Sequence, residues 1–381
     1  MSLKILVSAG EASGDLYAAR LVEALRARLP DAEFFGCTGH QMRRAGVRTV
    51  TDSASLAVVG LVEVLSHIPR IYSEYRKLVA AARSERPSLA ILTDSPDFHL
   101  RLARRLKRLG IPVVYLVAPQ VWAWRKRRIH SIRRNIDRLL CIFPFEESFF
   151  RRHGVAADYI GHPLAGLVRP ALSKADFFRK HRLPDDRPLV ALLPGSRQGE
   201  ILRHLPPLLE AAGKLYETRA ISFVLALPAG CPAGSLIRER AAQAPVLTIE
   251  GETWDAIAHA DLALAASGTV TVEAALLGTP MITFYKVTGI SWLLGKLLVD
   301  VPFYSMVNFI AGRHVVPELM QNEMTGARLA KEAVGLLAEP AGRERMARDL
   351  REVASSLLTG ADPMERAAAI VHQVLASRSV R

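Results

Sequence analysis

A carboxylate set at the end of an apolar strand is a group that can take a proton from a substrate held there. Such a group occurs at Asp94, directly after the apolar run Leu89 to Leu92, in the segment Thr93-Asp94-Ser95-Pro96-Asp97-Phe98. Of its two acids, Asp97 is the better candidate for an N-cap, because a helical pattern begins at Phe98. That leaves Asp94 as the candidate general base. His40, His67, His99 and His162 are weaker options, since an isolated histidine is more often structural.

Anion binding is the second chemistry the residues offer. Gly10-Glu11-Ala12-Ser13-Gly14-Asp15 follows the first strand and opens the first helix, where free N–H groups and the positive dipole end suit an anion. Pro194-Gly195-Ser196-Arg197 has the same placement in the second half. Arg197 there is either a two-pronged grip on a diphosphate or a solvated arginine on a surface turn. Ser267-Gly268-Thr269 lies at a third strand-to-helix junction. Glu273, a turn later, is suited to ribose hydroxyls, although an acid near a helix dipole is the plain alternative. Two such junctions in one domain point to a nucleoside diphosphate. The glycine spacing is wrong for G-x-G-x-x-G, and Gly36-Cys37 stands where a nicotinamide enzyme would place its ribose-binding acid. A dehydrogenase is therefore disfavoured, and the absence of G-x-x-x-x-G-K-[ST] excludes a P-loop. With no Asp-x-Asp motif and no His/Asp cluster, neither a metal nor another cofactor is implied.

The elements that must position these groups alternate. Leu3–Ser8, Glu33–Cys37, Leu89–Leu92, Val113–Val117 and Leu139–Phe143 read as strands; Leu16–Leu29, Leu61–Ala82 and Phe98–Leu109 read as helices. The rhythm restarts in the second half, with strands at Leu189–Leu193, Phe223–Leu227, Val246–Ile249, Leu262–Ala265 and Pro280–Phe284, and a helix at Thr271–Leu277. Gly161-His162-Pro163 through Pro170, and Pro184 to Pro188, read as linker and re-entry. Ala327 to Ala376 is helical by pattern, broken at Gly360-Ala361-Asp362-Pro363. The expectation is two tandem α/β domains, each a doubly wound parallel sheet, facing a cleft that strand carboxyl ends border.

A chain of 381 residues fits two to three domains at about 150 residues each. Its 50% hydrophobic and 23% charged residues exclude a disordered or collagen-like chain. Cys37, Cys141 and Cys231 lie far apart with no CxxC pair, which argues against a disulfide framework or a cysteine zinc site and fits a reducing cytoplasm. The apolar run Leu3 to Val7 contains Lys4 and is no signal peptide. The uncharged stretch Ala220 to Ile237 holds Pro228, Gly230, Pro232 and Gly234 and is no membrane span. A soluble protein, or one bound at a membrane surface, is expected.

Net charge is +13, and Arg101 to Arg152 carries most of it, with fourteen Lys and Arg against three acids (Asp137, Glu146, Glu147). A solvated helix face is one explanation. Nucleic acid is another, but zinc-finger spacing, RNP-type aromatics and a helix-turn-helix are missing. Trp122 and Trp124 beside Arg125-Lys126-Arg127-Arg128 suit an anionic headgroup region. Two apolar groups are either core or interfacial. One runs from Ala57-Val58-Val59-Gly60-Leu61 to Leu65, Ile68, Ile71, Tyr72 and Tyr75. The other comprises Ile290, Trp292, Leu293, Leu294, Leu297 and Leu298, flanked by Lys286 and Lys296.

Taken in order, several segments resemble the lipid-A-disaccharide synthase family of glycosyltransferases. They are Gly10 to Asp15, Asp94-Ser95-Pro96-Asp97-Phe98, Pro119-Gln120-Val121-Trp122-Ala123-Trp124, Phe143-Pro144-Phe145-Glu146, Tyr159-Ile160-Gly161-His162, Leu192 to Arg197, Ser267-Gly268-Thr269, and Asn308 to Gly312. Ser95 and His99 depart from the pattern, which has Ala and Asn there. The resemblance spans Ile5 to about Gln321. It implies the glycosyltransferase-B fold of two Rossmann-like domains, with a C-terminal helix crossing back to the first. The expected divisions are residues 1–168 for the acceptor and membrane side, 169–350 for the UDP-sugar side, and 351–381 for the returning helix.

The implied reaction joins UDP-2,3-diacylglucosamine to 2,3-diacylglucosamine 1-phosphate with inversion, giving a β-1,6-linked disaccharide 1-phosphate and UDP. In it Asp94 is the base. Arg197, the helix N-termini after Gly195 and Gly268, and Asn308 meet the departing UDP; Ser196, Ser267 and Thr269 belong to the same UDP site, and Glu273 binds ribose. Glu11, Ser13 and Gly14 face the cleft from the first domain. No cofactor or metal is implied. The implied partners are the two lipid substrates and an anionic membrane surface, at the inner face of the inner membrane, with self-association left open and nucleic acid excluded. Two alternatives stay open from the residues: a UDP-N-acetylglucosamine transferase or epimerase of the same fold, and a basic nucleic-acid-binding protein.

Overall fold

Short runs of aliphatic residues make the strands, and amphipathic segments between them return the chain to the start of the next one. In the computed structural model, which describes residues 3–56, 61–231, 234–289, 292 and 301–379, the chain divides into two units. Met1–Pro163 with Leu357–Arg381 forms one, and Leu164–Ser356 the other.

The first unit holds β1 (Lys4–Ala9), β2 (Glu33–Thr38), β3 (Arg48–Asp52), β4 (Leu89–Thr93), β5 (Val113–Leu116), β6 (Arg138–Cys141) and β7 (Ala157–Tyr159). They form a parallel sheet in the order β3-β2-β1-β4-β5-β6-β7. Both faces are covered, as a parallel sheet requires, so β4 is buried at every position. The order reverses between β1 and β4, the place where the loops after neighbouring strands diverge and leave a crevice. Ala9 lies opposite Thr93. Gly10 and Asp94 therefore emerge side by side.

The second unit repeats the plan with β8 (Leu189–Leu193), β9 (Ser222–Leu227), β10 (Leu247–Glu250), β11 (Leu262–Ala266), β12 (Met281–Tyr285) and β13 (Glu318–Met320). Its parallel order is β10-β9-β8-β11-β12-β13, reversing between β8 and β11. Leu193 lies opposite Ala265, so the Pro194 and Ser267 turns share that second switch point.

The last helix, Pro363–Ser379, packs on the first, Ala12–Arg28. Arg20 pairs with Asp362 at 3.2 Å and Arg28 with Glu365 at 2.9 Å. The chain end thus completes the first unit.

Two sequence expectations change. The helix after β4 begins at Pro96, and Ser95 rather than Asp97 is its N-cap, because Pro at the first helical position loses no hydrogen bond. Asp97 instead pairs with Arg125 and Arg128. Trp122 is no headgroup anchor: it is 9% exposed, and its Nε1–H donates to the buried Glu146 carboxylate at 3.1 Å. Of the first apolar group, Ile68 and Tyr72 are exposed and Tyr75 is half-buried against Phe98. Residues 57–60 and the side chains of Leu61 and Leu65 lie outside the described residues, as do Ile290, Leu293, Leu294, Lys296, Leu297 and Leu298.

Candidate active site

Asp94 follows β4 and turns at once. It and Ser95 take φ of +54° and +37°, a left-handed pair that costs roughly 1–3 kcal/mol per residue unless surroundings fix it. A clamp on the Asp94 carbonyl does so. The Tyr115 hydroxyl of β5 donates to that oxygen, and His99 Nδ1 donates to it at 3.0 Å. Burial lowers the His99 pKa to about 4, so the ring is neutral. With its proton on Nδ1, Nε2 accepts from Ser8 Oγ at 2.8 Å.

So held, the carboxylate faces the first helix. Oδ1 accepts from the Gly10 N–H at 2.9 Å and Oδ2 from the Glu11 N–H at 3.0 Å. Gly14 makes room, since a Cβ there would lie 1.7 Å from Oδ2. The N–H groups at the head of this loop are thereby answered by Asp94. Glu11 at the helix N-cap and Ser13 in its first turn are exposed, Gly14 is buried, and Asp15 accepts from the Gly39, Gln41 and Met42 N–H groups of the turn after β2. Burial outweighs the hydrogen bonds on the Asp94 carboxylate and raises its pKa to about 7. Near neutral pH the group exists in both protonation states, which suits proton transfer.

In the second unit a pocket of about 480 Å³ opens over the β8 and β11 ends. Gly195, Ser196, Ser267, Gly268, Thr269 and Glu273 all line it. Gly195 has φ +116°, and a side chain there would press on the Glu200 carboxylate at 3.1 Å. The helix Gln198–Thr218 starts just beyond, with Arg197 as its N-cap residue. Burial raises the Glu273 pKa to about 7, against a hydrogen bond from Trp254.

The structure does not bring every expected residue to this pocket. The Arg197 side chain is 58% exposed and lies 3.5 Å from Glu200, outside the lining. Asn308 is fully buried, and its amide is spent inward: Oδ1 accepts from the Val315 and Val316 N–H groups, and Nδ2 donates to Val316 O and Glu318. Asn308 orders the loop before β13 and does not itself face a ligand in the pocket.

A sequence model of the family described as Lipid-A-disaccharide synthetase matches residues 5–370. The chain belongs to the lipid-A-disaccharide synthase family. It is 65% identical over 373 residues to the lipid-A-disaccharide synthase of Solibacter usitatus (strain Ellin6076), covering 98% of this chain and 97% of that protein. It is 44% identical over 358 residues to that of Myxococcus xanthus (strain DK1622), with 93% of each covered. Among solved structures, UDP-GlcNAc 2-epimerase from Neisseria meningitidis bound to UDP-GlcNAc matches with TM-score 0.61 at 12% identity, covering 98% of this chain and 100% of that one. At that identity the likeness is one of fold. The architecture is glycosyltransferase-B, and as a member of the lipid-A-disaccharide synthase family the chain is a glycosyltransferase of lipid A biosynthesis. Neither the epimerase nor the nucleic-acid alternative is favoured.

Sequence reasoning missed several parts of this family member's site. Trp254 follows Gly251, at φ +78° after β10; that glycine at a strand end was the available signal. Glu200 and its partner Tyr285, at 2.8 Å, carry no motif. His204 ties the turn after β8 to the chain after β12, with Nδ1 donating to Pro194 O at 2.8 Å and Nε2 accepting from the Lys286 N–H at 3.1 Å. Tyr115 and His99 act through a backbone carbonyl, which side-chain types do not reveal.

Proposed function

We propose that the chain transfers the diacylglucosaminyl group of UDP-2,3-diacylglucosamine to the 6-hydroxyl of 2,3-diacylglucosamine 1-phosphate. The acceptor oxygen attacks the anomeric carbon as the bond to UDP breaks on the opposite face, and its proton passes to Asp94. The products are the β-1,6-linked disaccharide 1-phosphate and UDP. Glu11, Ser13 and Gly14 shape the surroundings of the base. In the second unit Gly195, Ser196, Ser267, Gly268 and Thr269 hold the diphosphate, and Glu273, turned by Trp254, holds the ribose. Arg197 swings from Glu200 to the phosphates and, with the helix N-termini, takes up the charge of departing UDP without a metal. Asn308 acts only through the loop it orders.

The reading is carried above all by Asp94, a carboxyl with pKa about 7 at a switch point, where an inverting transfer needs one base and no second nucleophile. We place the reaction at the inner face of the inner membrane, with the protein bound peripherally. Among the described residues no helix is long and apolar enough to cross a membrane. Ile68, Tyr72, Lys126 and Arg127 are exposed on the first unit and available to such a surface. The experiment that tests the reading compares two donors with the same lipid acceptor. UDP-2,3-diacylglucosamine should support transfer at least about 100-fold faster than UDP-N-acetylglucosamine, the scale that several kcal/mol of acyl-chain burial supplies. Equal use of the two would contradict it.

A further inference from the structure

One cluster beside Asp94 has no part in the chemistry described so far. Arg125 Nη1 contacts both carboxylate oxygens of Asp97, at 2.8 and 3.1 Å, and Arg128 Nη2 donates to Oδ1 of the same group. The Trp124 ring lies against both guanidinium groups, 4.4 Å from Arg125 and 5.5 Å from Arg128. Arg125 adopts φ +57° in this arrangement, a conformation that persists only where surroundings over-determine it. Two guanidinium groups thus meet, each through a single nitrogen, at one carboxylate that is 67% exposed. Two cations face a single negative charge, with Lys126 and Arg127 exposed in the same turn. The cluster is also close to the base. Asp97 lies in the first turn of the helix Pro96–Arg108, which starts two residues after Asp94.

A phosphomonoester fits this fork better than the carboxylate does. It brings three acceptor oxygens and about −1.5 to −2 charges at neutral pH. Guanidinium groups take phosphate through paired N–H donors, and the Trp124 ring beside both adds a cation–π contact. We propose that Arg125 and Arg128 form the subsite for the anomeric phosphate of the acceptor sugar, with Asp97 gathering the two arginines until the phosphate displaces it. The proposal rests on the glycosyl-transfer reading above. A phospholipid headgroup offers the same chemistry, and the experiment separates the two sources.

The measurement is kcat/KM for 2,3-diacylglucosamine 1-phosphate and for the same sugar lacking the phosphate, in neutral detergent micelles free of phospholipid. The wild-type enzyme should prefer the phosphorylated acceptor on the order of 100-fold, the scale of two charge-assisted hydrogen bonds. Arg125→Gln with Arg128→Gln should reduce that preference to less than about 5-fold and leave the donor KM unchanged, and Arg128→Lys, which keeps the charge and loses the fork, should fall between. Asp97→Asn, which removes the competitor, should lower the acceptor KM. An undiminished preference in both arginine variants, or a raised acceptor KM in Asp97→Asn, would overturn the subsite. So would arginine variants that bind phosphatidylglycerol vesicles less well yet keep the preference in micelles, because the fork would then serve a headgroup. Calorimetry with soluble glucosamine 1-phosphate gives a readout independent of turnover. If the wild type transfers nothing to either acceptor, the glycosyl-transfer reading fails. Binding of that probe, lost in the double variant, would then still support the subsite, and no binding would end it.

Discussion

Asp94 is aimed from both its backbone and its side chain. Tyr115 and His99 fix its carbonyl, and the Gly10 and Glu11 N–H groups donate to its carboxylate oxygens. Asp94→Asn keeps the size of the side chain, gives up one of the two backbone hydrogen bonds and loses the base, so turnover should fall about 100-fold or more while UDP affinity stays. Near-normal turnover in that variant would remove Asp94 from the mechanism. The raised pKa, about 7 against 3.8 for a free aspartate, gives the pH dependence its sign. The ionised form is the base, so kcat should rise with pH through about 7 and then level, an acidic limb that Asp94→Asn lacks. Stability runs the other way. Between these two pKa values the folded chain keeps a proton that the unfolded chain releases, so the Asp94 contribution to stability is present at low pH and declines as pH climbs through about 7. Denaturant melts across that range should show a shallower decline in Asp94→Asn. Tyr115→Phe tests the clamp. A base released by a fraction of an ångström should cost about 10- to 100-fold in kcat, with the UDP dissociation constant unchanged.

At the level of elements, close approach of a helix to a strand end does the work. Gly14 on the first helix leaves Asp94 its space, and a methyl group there would sit 1.7 Å from Oδ2. Gly14→Ala should therefore fold, bind UDP normally, and lose about 100-fold or more in turnover. Arg197→Ala removes a cation at the head of the helix Gln198–Thr218, and UDP affinity and turnover should fall together, with about 2–4 kcal/mol lost in transition-state terms. Steady-state kinetics with UDP inhibition checks both. These elements were legible because the central strands are uninterrupted apolar runs; Leu189–Leu193 is the same segment in sequence and structure. The sheet edges were not. Arg48-Thr49-Val50-Thr51-Asp52 is a strand with a polar, half-exposed pattern, and Ala157–Tyr159 and Glu318–Met320 are too short to show a period. In the site, turn glycines marked both switch points correctly. The tie from Asp97 to Arg125 and Arg128 spans about thirty residues of chain, and no local propensity encodes it.

Across the whole molecule, the two units repeat one plan, with the proposed base Asp94 in the first and the pocket proposed for the nucleotide in the second. The net charge of +13 is concentrated in the first unit's Arg101 to Arg152 stretch, and part of it is internally paired, as with Lys107–Asp137 and Arg138–Asp158. Lys126 and Arg127 stay exposed. Replacing both by Gln should lower sedimentation with anionic vesicles, by roughly 1 kcal/mol per charge, most clearly at low salt, and leave turnover on detergent-dispersed substrate near normal. Unchanged vesicle binding would make the exposed pair a merely solvated surface. The central claim, an inverting transfer between two diacylated sugars, is tested most directly by product stoichiometry. Purified protein given UDP-2,3-diacylglucosamine should release UDP only when 2,3-diacylglucosamine 1-phosphate is also present, with one β-1,6-linked disaccharide 1-phosphate formed per UDP. UDP release that is independent of the acceptor, or an α-linked product, would contradict it.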